Sequence, residues 1–163
     1  MDDLGEFDAA GTVRFQRLLS APPERVWEYL TEAELLPEWL GNGYISEEIG
    51  GKIELRSGGP VVRGIVLARE PLKHLSYSWI VYMLGDDVPA VTEAIINFDL
   101  EPVDEGTRLT LTQGPIDPEY RARAAGGWHA LLAVLQGALS EDSSADFMET
   151  FQRVYPEYEK RYS

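Results

Sequence analysis

The sequence predicts an α+β fold in which one antiparallel sheet is wrapped around a long C-terminal helix. Three observations carry this reading. The stretch Asp117 to Leu139 places Trp128, Leu131, Leu132, Leu135, Ala138 and Leu139 at the i, i+3, i+4, i+7 spacing of a buried helix face, with Ala130 and Val134 widening the stripe. Ahead of it, from Gly41 to Gln113, short extended runs alternate with Gly-rich turns at near-regular intervals, the pattern of an antiparallel meander. At the start, a single alternating strand runs directly into a Pro-Pro helix entry. A helix left in water with such a row of Leu side chains would forgo roughly 1.5–3 kcal/mol of burial per side chain, so it requires a cover.

Composition narrows the function classes. The 163 residues suffice for one domain with a sizeable core. There is no Cys, which removes disulfides, thiolate metal sites and a Cys nucleophile together. The two His, His74 and His129, lie too far apart in sequence to suggest a His-based metal site. No metal or cofactor is expected. The start, MDDLGEFDAAG, lacks the positive and apolar regions of a signal peptide, and no run of about 18 apolar residues occurs, so a cytoplasmic protein is expected. With 14 basic against 28 acidic residues the formal charge is −14, which repels phosphate backbones and anionic membranes; no nucleic-acid or membrane partner is expected.

In chain order, residues 1–11 read as a loose acidic leader, 12–140 as the domain and 141–163 as a helical, aromatic-rich appendix. Thr12 to Leu19 alternates Val13, Phe15, Arg17 and Leu19 against Thr12, Arg14 and Gln16, giving a strand with one buried face. Pro22 and Pro23 fit the first turn of a helix whose buried side is Val26, Trp27 and Leu30. Thr31 and Glu34 have capping-box spacing, so a second short helix is expected over Thr31 to Leu40, limited by Pro37. Strands follow over 44–49, 52–57, 61–69, 74–83, 91–101 and 107–113, for about six to seven in all with the first. Ala94, Ile96, Phe98 and Leu100 form the inner set of one strand; Thr107, Leu109, Leu111 and Gln113 form that of the next.

Asp117 and Pro118 open the long helix, which contains the pair Gly126-Gly127. Each Gly costs a helix about 1 kcal/mol against Ala, so the pair either admits a close backbone approach or leaves room beside the helix. In the appendix, Ser143 or Ser144 caps a helix with Phe147, Phe151, Val154 and Tyr155 on one side, and Pro156 breaks it or begins another turn. Its aromatics are expected to pack on this domain or on a second copy of the chain, as a homodimer.

The segment RLLSAPPERVWEYLTEAELLPEW, Arg17 to Trp39, resembles the opening signature of the START-like (SRPBCC, Bet v 1-like) helix-grip domains, in the branch of activator of heat-shock protein 90 ATPase homologue-like proteins. Gly50-Gly51, the strand around Gly64, Leu75-Ser-Tyr-Ser-Trp79, Gly106-Thr-Arg-Leu-Thr-Leu111 and Gly127-Trp128 are similar to later landmarks of that branch, so the resemblance spans about residues 12–140. It implies a curved antiparallel sheet gripping the C-terminal helix, with a cavity between them for an apolar ligand. It implies no common catalytic set.

On that basis Trp79, Tyr82, Met83, Phe98, Gln113, Trp128, His129 and Leu132 are expected near the space between sheet and helix. Trp79 and Trp128 serve either as core or as a stacking wall. Gln113 either orients a ligand carbonyl or hydroxyl or bridges a loop. His129 has the intrinsic pKa of a general acid or base but no Asp or Glu at i±3 or i±4, which points to a structural role. Glu93 and Asp99 alternate with the apolar set of their strand and point to solvent; Arg56, Arg63 and Arg69 read as surface ion-pair partners. The leading expectation is a protein that binds a small hydrophobic or amphipathic molecule. The alternatives are a protein-interaction or chaperone-associated module and, by fold analogy, an enzyme of the polyketide cyclase or aromatase kind.

Overall fold

A computed structural model describes residues 3–56, 60–83, 89, 93–140 and 145–162. In chain order its elements are β1 (Glu6–Phe7), β2 (Val13–Leu19), α1 (Pro23–Thr31), β3 (Asn42–Ile45), β4 (Lys52–Arg56), β5 (Val61–Glu70), β6 (His74–Tyr82), β7 (Ala94–Val103), β8 (Gly106–Gly114), α2 (Arg121–Leu139) and α3 (Phe147–Tyr162). All strand pairs are antiparallel, and the eight-stranded sheet has the order β1-β2-β8-β7-β6-β5-β4-β3.

Period-two alternation sets the buried face of this sheet. In β2, Val13, Phe15, Arg17 and Leu19 are buried and the residues between them exposed. In β7 the inner set is Ala94, Ile96, Phe98 and Leu100, and in β8 it is Thr107, Leu109, Leu111 and Gln113, as the pattern predicts. A bulge between Val66 and Ala68 shifts the β5–β6 register, which bends and twists the strands there. Gly64 lies just before it, where an added Cβ would sit 1.8 Å from the Ser78 carbonyl oxygen; the two backbones approach too closely for any side chain.

Between β2 and β3 the chain crosses the open end of the sheet. Pro23 is the first residue of α1, which buries Val26, Trp27, Tyr29 and Leu30. The expected second helix shrinks to one 3₁₀ turn, Leu36–Glu38, because Pro37 has no N–H to continue an α-helix. Thr31 ends α1 instead of capping the next element, and its hydroxyl donates to the Trp27 carbonyl at 2.8 Å. Leu36, Trp39 and Leu40 are nevertheless buried, and Trp39 Nε1 donates to the Tyr29 carbonyl at 2.8 Å.

The long helix begins later than its Asp-Pro entry suggests: Pro118–Tyr120 is a 3₁₀ turn, and α2 proper starts at Arg121. The glycine pair inside it serves both of the purposes open to it. A Cβ on Gly126 would lie 3.2 Å from Phe151 Cε2 of α3, so this glycine admits the second helix. A Cβ on Gly127 would meet nothing within 4 Å, so this one leaves space.

Helix α3 packs on its own chain, along α2 and the N-terminal segment. Asp146 caps it, its Oδ2 accepting from Glu149 N–H at 3.0 Å, and Pro156 lies inside without ending it. Thr150, Val154 and Tyr158 are its buried line, while Phe147, Phe151 and Tyr155 form a stacked ladder beside it. Gly5 N–H donates to the Tyr158 hydroxyl at 2.8 Å, and Tyr162 donates to the Gly5 carbonyl at 3.0 Å. Residues 3–7 are thereby tied down, with Glu6 and Phe7 pairing to β2. The expected cap at Ser143 or Ser144, the strand end at Ser57 and the strand start at Val91 lie outside the described residues.

Two outcomes test this account. Gly127→Ala raises stability by up to about 1 kcal/mol, through helix propensity alone, whereas Gly126→Leu overpacks the α2–α3 contact and lowers it by roughly 1–3 kcal/mol; urea unfolding of both variants distinguishes them. Burial pushes the Tyr158 phenol up to about 12, so its contribution is intact below its ordinary value of about 10 and is lost as pH rises through 12. Stability therefore falls between pH 10 and 12, and Tyr158→Phe removes roughly 2 kcal/mol of that dependence in pH-resolved unfolding curves.

Candidate functional site

The inner face of the sheet and α2 do not meet along their whole length. Trp128, Leu132 and Leu135 of α2 are buried in the core shared with Phe98 and Leu111. Beside them on the helix surface, Ala124, Gly127, Leu131 and Val134, with Trp128 shared, form a stripe that lines a cavity of about 1040 Å³. Leu55, Val62, Trp79, Val81, Ala94 and Gln113 supply the sheet wall, and Trp39, Leu40 and Ile116 come from the connections. The walls are mostly apolar. Charged side chains sit at the edge, where Glu38, Arg56 and Arg123 are exposed. Ala145 and Phe147, at the entry to α3, complete the lining.

The aromatic walls are packed into one another. Trp79 and Trp128 have ring centroids 5.3 Å apart, Phe98 stands edge-on to Trp128 at 6.3 Å, and Tyr77 stacks behind Trp79 at 6.4 Å. Wall and core are continuous, and the two readings of these tryptophans describe one arrangement. Gln113 is 6% exposed and is the deeply buried amide of the lining. Its Oε1 accepts from Trp128 Nε1, and because an indole nitrogen only donates, this assigns the amide orientation. Gln113 Nε2 has no acceptor among the described residues.

Of the residues expected near this space, Trp79, Met83, Gln113 and Trp128 line the cavity. Phe98 and Leu132 lie beneath the wall in the core, fully buried, and it is Leu131 that reaches the cavity. Tyr82 is on the opposite face of β6 from Trp79 and Val81, with the Arg63 guanidinium over its ring at 5.3 Å. His129 turns away toward α3: it is 2% exposed, its Nδ1 lies 2.8 Å from the Tyr158 hydroxyl, and its ring stands edge-on to Phe15. Since the Tyr158 oxygen accepts from Gly5, its own proton is available to His129 Nδ1. Gly127, one of the pair read as leaving room beside the helix, does so here; the lining residues that sequence reasoning missed include Leu131, Val62 and Trp39, which need the relative placement of elements far apart in the chain.

The remaining titratable candidates are on the surface. Asp99 pairs with His74 Nδ1 at 2.8 Å across the outer face of β6 and β7. Glu54 takes Arg63 at 3.1 Å and Arg56 at 3.6 Å, and Arg69 donates to the Ser46 carbonyl at 3.1 Å while lying over Trp27. Among the described residues no His, Asp and Glu cluster of metal-binding geometry occurs, and no helix is long and apolar enough to cross a membrane.

A long helix held in a curved antiparallel sheet, with short connections closing one end and a cavity in the grip, defines the START-like helix-grip class of the Bet v 1-like superfamily. The sequence matches the family described as Activator of Hsp90 ATPase homolog 1-like protein over residues 20–140, and the chain belongs to that family. Among solved structures it is similar to protein MLL2253 from Mesorhizobium loti, at 31% identity over 93% of this chain and 98% of that one, with a TM-score of 0.63. The protein encoded by gene BPP1335 from Bordetella parapertussis is similar at 30% identity over 98% of this chain and 91% of that one, with a TM-score of 0.75. CalU16 from Micromonospora echinospora shares the fold, at 20% identity over 96% and 92% of the two chains and a TM-score of 0.74. No curated protein matches the sequence.

The Tyr77 hydroxyl, behind Trp79, is buried without a hydrogen-bond partner among the described residues, and burial holds the phenol above its ordinary pKa. Removing an unsatisfied buried group relieves a desolvation cost of about 1 kcal/mol or more, so Tyr77→Phe raises the midpoint of thermal unfolding. Differential scanning calorimetry reads this directly; a lowered midpoint would show that the hydroxyl has a partner.

Proposed function

We propose that this protein binds a small, largely apolar molecule in the cavity between the sheet and α2. The observation that supports the reading is the glycine at 127: a helix position that could have been filled at no steric cost is left open, beside a mostly apolar space of about 1040 Å³. Ligand sites of drug-sized molecules run from about 300 to 1,000 Å³, lined by apolar and aromatic side chains with few polar groups. This lining has that composition, with Trp39, Trp79 and Trp128 among its apolar residues and Gln113 as the buried polar side chain.

A role in catalysis draws no support from the same site. General acid–base work requires a titratable group within hydrogen-bond reach of the reacting atom. His129 is held by Tyr158 on the far side of α2, and the carboxylates of Glu38 and Asp117 are at the cavity's edge and partly exposed. An interaction role for the C-terminal appendix is likewise weakened, because the buried line of α3 is spent on α2 and the N-terminal segment of the same chain.

Native mass spectrometry of the purified protein, followed by denaturation and solvent extraction, tests the reading. The wild type is expected to carry or take up an apolar compound of a few hundred daltons. Gly127→Phe, which places a ring in the open space, is expected to remain folded and to lose it. Uptake unaffected by that substitution would overturn the assignment of the cavity as the binding site.

A further inference from the structure

Gln113 divides its two polar atoms between the protein and the cavity. Its carbonyl oxygen accepts from Trp128 Nε1, and its amide N–H groups remain to donate. Those hydrogens have no acceptor among the described residues, and the residue that carries them lines the cavity. The residue is 6% exposed. Of the lining indoles, Trp39 Nε1 donates to the Tyr29 carbonyl and Trp128 Nε1 to Gln113 itself, and Trp79 is the least buried of the three.

We propose that the bound molecule is a flat, neutral, carbonyl-bearing compound whose oxygen accepts a hydrogen bond from Gln113 Nε2. This rests on the cavity reading above and adds the ligand's chemical class. A donor without an acceptor selects an acceptor in the ligand, and a molecule lacking one leaves the amide desolvated and unpaired. A carbonyl fits better than a carboxylate, because a buried anion requires a buried partner charge and the guanidinium groups in the lining, those of Arg56 and Arg123, are on exposed side chains at the edge. A flat body suits an aromatic lining: Trp79 and Trp128 both line the cavity, with ring centroids 5.3 Å apart.

The test uses two probes of one shape, benzanthrone and its parent hydrocarbon 7H-benz[de]anthracene, titrated into full-length protein with tryptophan fluorescence as readout. The quantity that matters is the ratio of their dissociation constants. Wild type is expected to prefer the ketone by about tenfold, the scale of one buried hydrogen bond. Gln113→Met with Trp128→Phe keeps the length of the side chain at 113 and removes the donor, and the ratio is expected to fall to about one. The double variant Gln113→Leu with Trp128→Phe removes donor and acceptor together, so neither is left unpaired, and is expected to show no preference. Equal binding of both probes to wild type overturns the donor assignment and leaves the cavity reading standing. Binding of neither probe overturns the cavity reading, and the proposal with it. A ketone preference that persists in both variants places the carbonyl on some other group and overturns the role of Gln113.

Discussion

Helix α2 is apolar around most of its circumference, and one sheet can cover only one of its sides. Leu132, Leu135 and the inner edge of Trp128 go to the sheet core; Ala122, Gly126 and His129 go to the side held by α3; Ala124, Gly127 and Leu131 are left to a third side. A helix that is apolar all round has to be enclosed, and here the enclosure is divided between sheet, second helix and cavity. The small residues set the division. Gly126 brings α3 within van der Waals reach of the α2 backbone, while Gly127 keeps the adjacent surface bare.

The buried polar groups follow from the same enclosure. Each side of α2 carries a hydrogen-bonded pair tying it to a neighbour: Trp128 to Gln113 of β8 on the sheet side, and His129 to Tyr158 of α3 on the other. Burying such groups singly would cost a few kcal/mol each, so consecutive residues with partners on opposite sides fix the helix's rotation about its axis. Arg17 extends the pattern. It occupies an inner position of β2 yet directs its guanidinium to the Gln16 and Asp3 carbonyls, which anchors the N-terminal segment over the edge of the core. Tyr158 reaches the same segment through Gly5, so both ends of the chain close over one side of α2.

How much of this was legible in the sequence depends on the period of each element. The inner faces of β2, β7 and β8 were readable because strict alternation leaves one answer. The same rule, applied to β6, separates Tyr82 from Trp79 and Val81, since neighbours on a strand cannot share a face. For α2 the pattern is ambiguous by nature: with Leu131 and Leu132 both apolar, periodicity cannot say which meets the core and which the cavity. Phe98 shows the second limit. Its face was correct, but its depth beneath Trp79 and Trp128 depends on where the helix crosses the sheet, which no local pattern records. The Gly pair announced that something happened beside the helix, and only the placement of Phe151 tells which glycine does what.

The appendix contributes to the wall of the site. The family match ends at residue 140, before α3, yet Ala145 and Phe147 contribute to the cavity lining. Phe147 begins the ladder that continues through Phe151, against Gly126, to Tyr155. The ring at the cavity's edge is therefore stacked on the ring that locks the two helices together. Its position is set by the same glycine that admits α3, so the geometry of the edge is inherited from the packing of α2 and does not depend on a free loop. Helix α3 thus joins the fit of the cavity to the docking of the N-terminal segment, through one helix face that runs from Phe147 at one end to Tyr162 against Phe7 at the other.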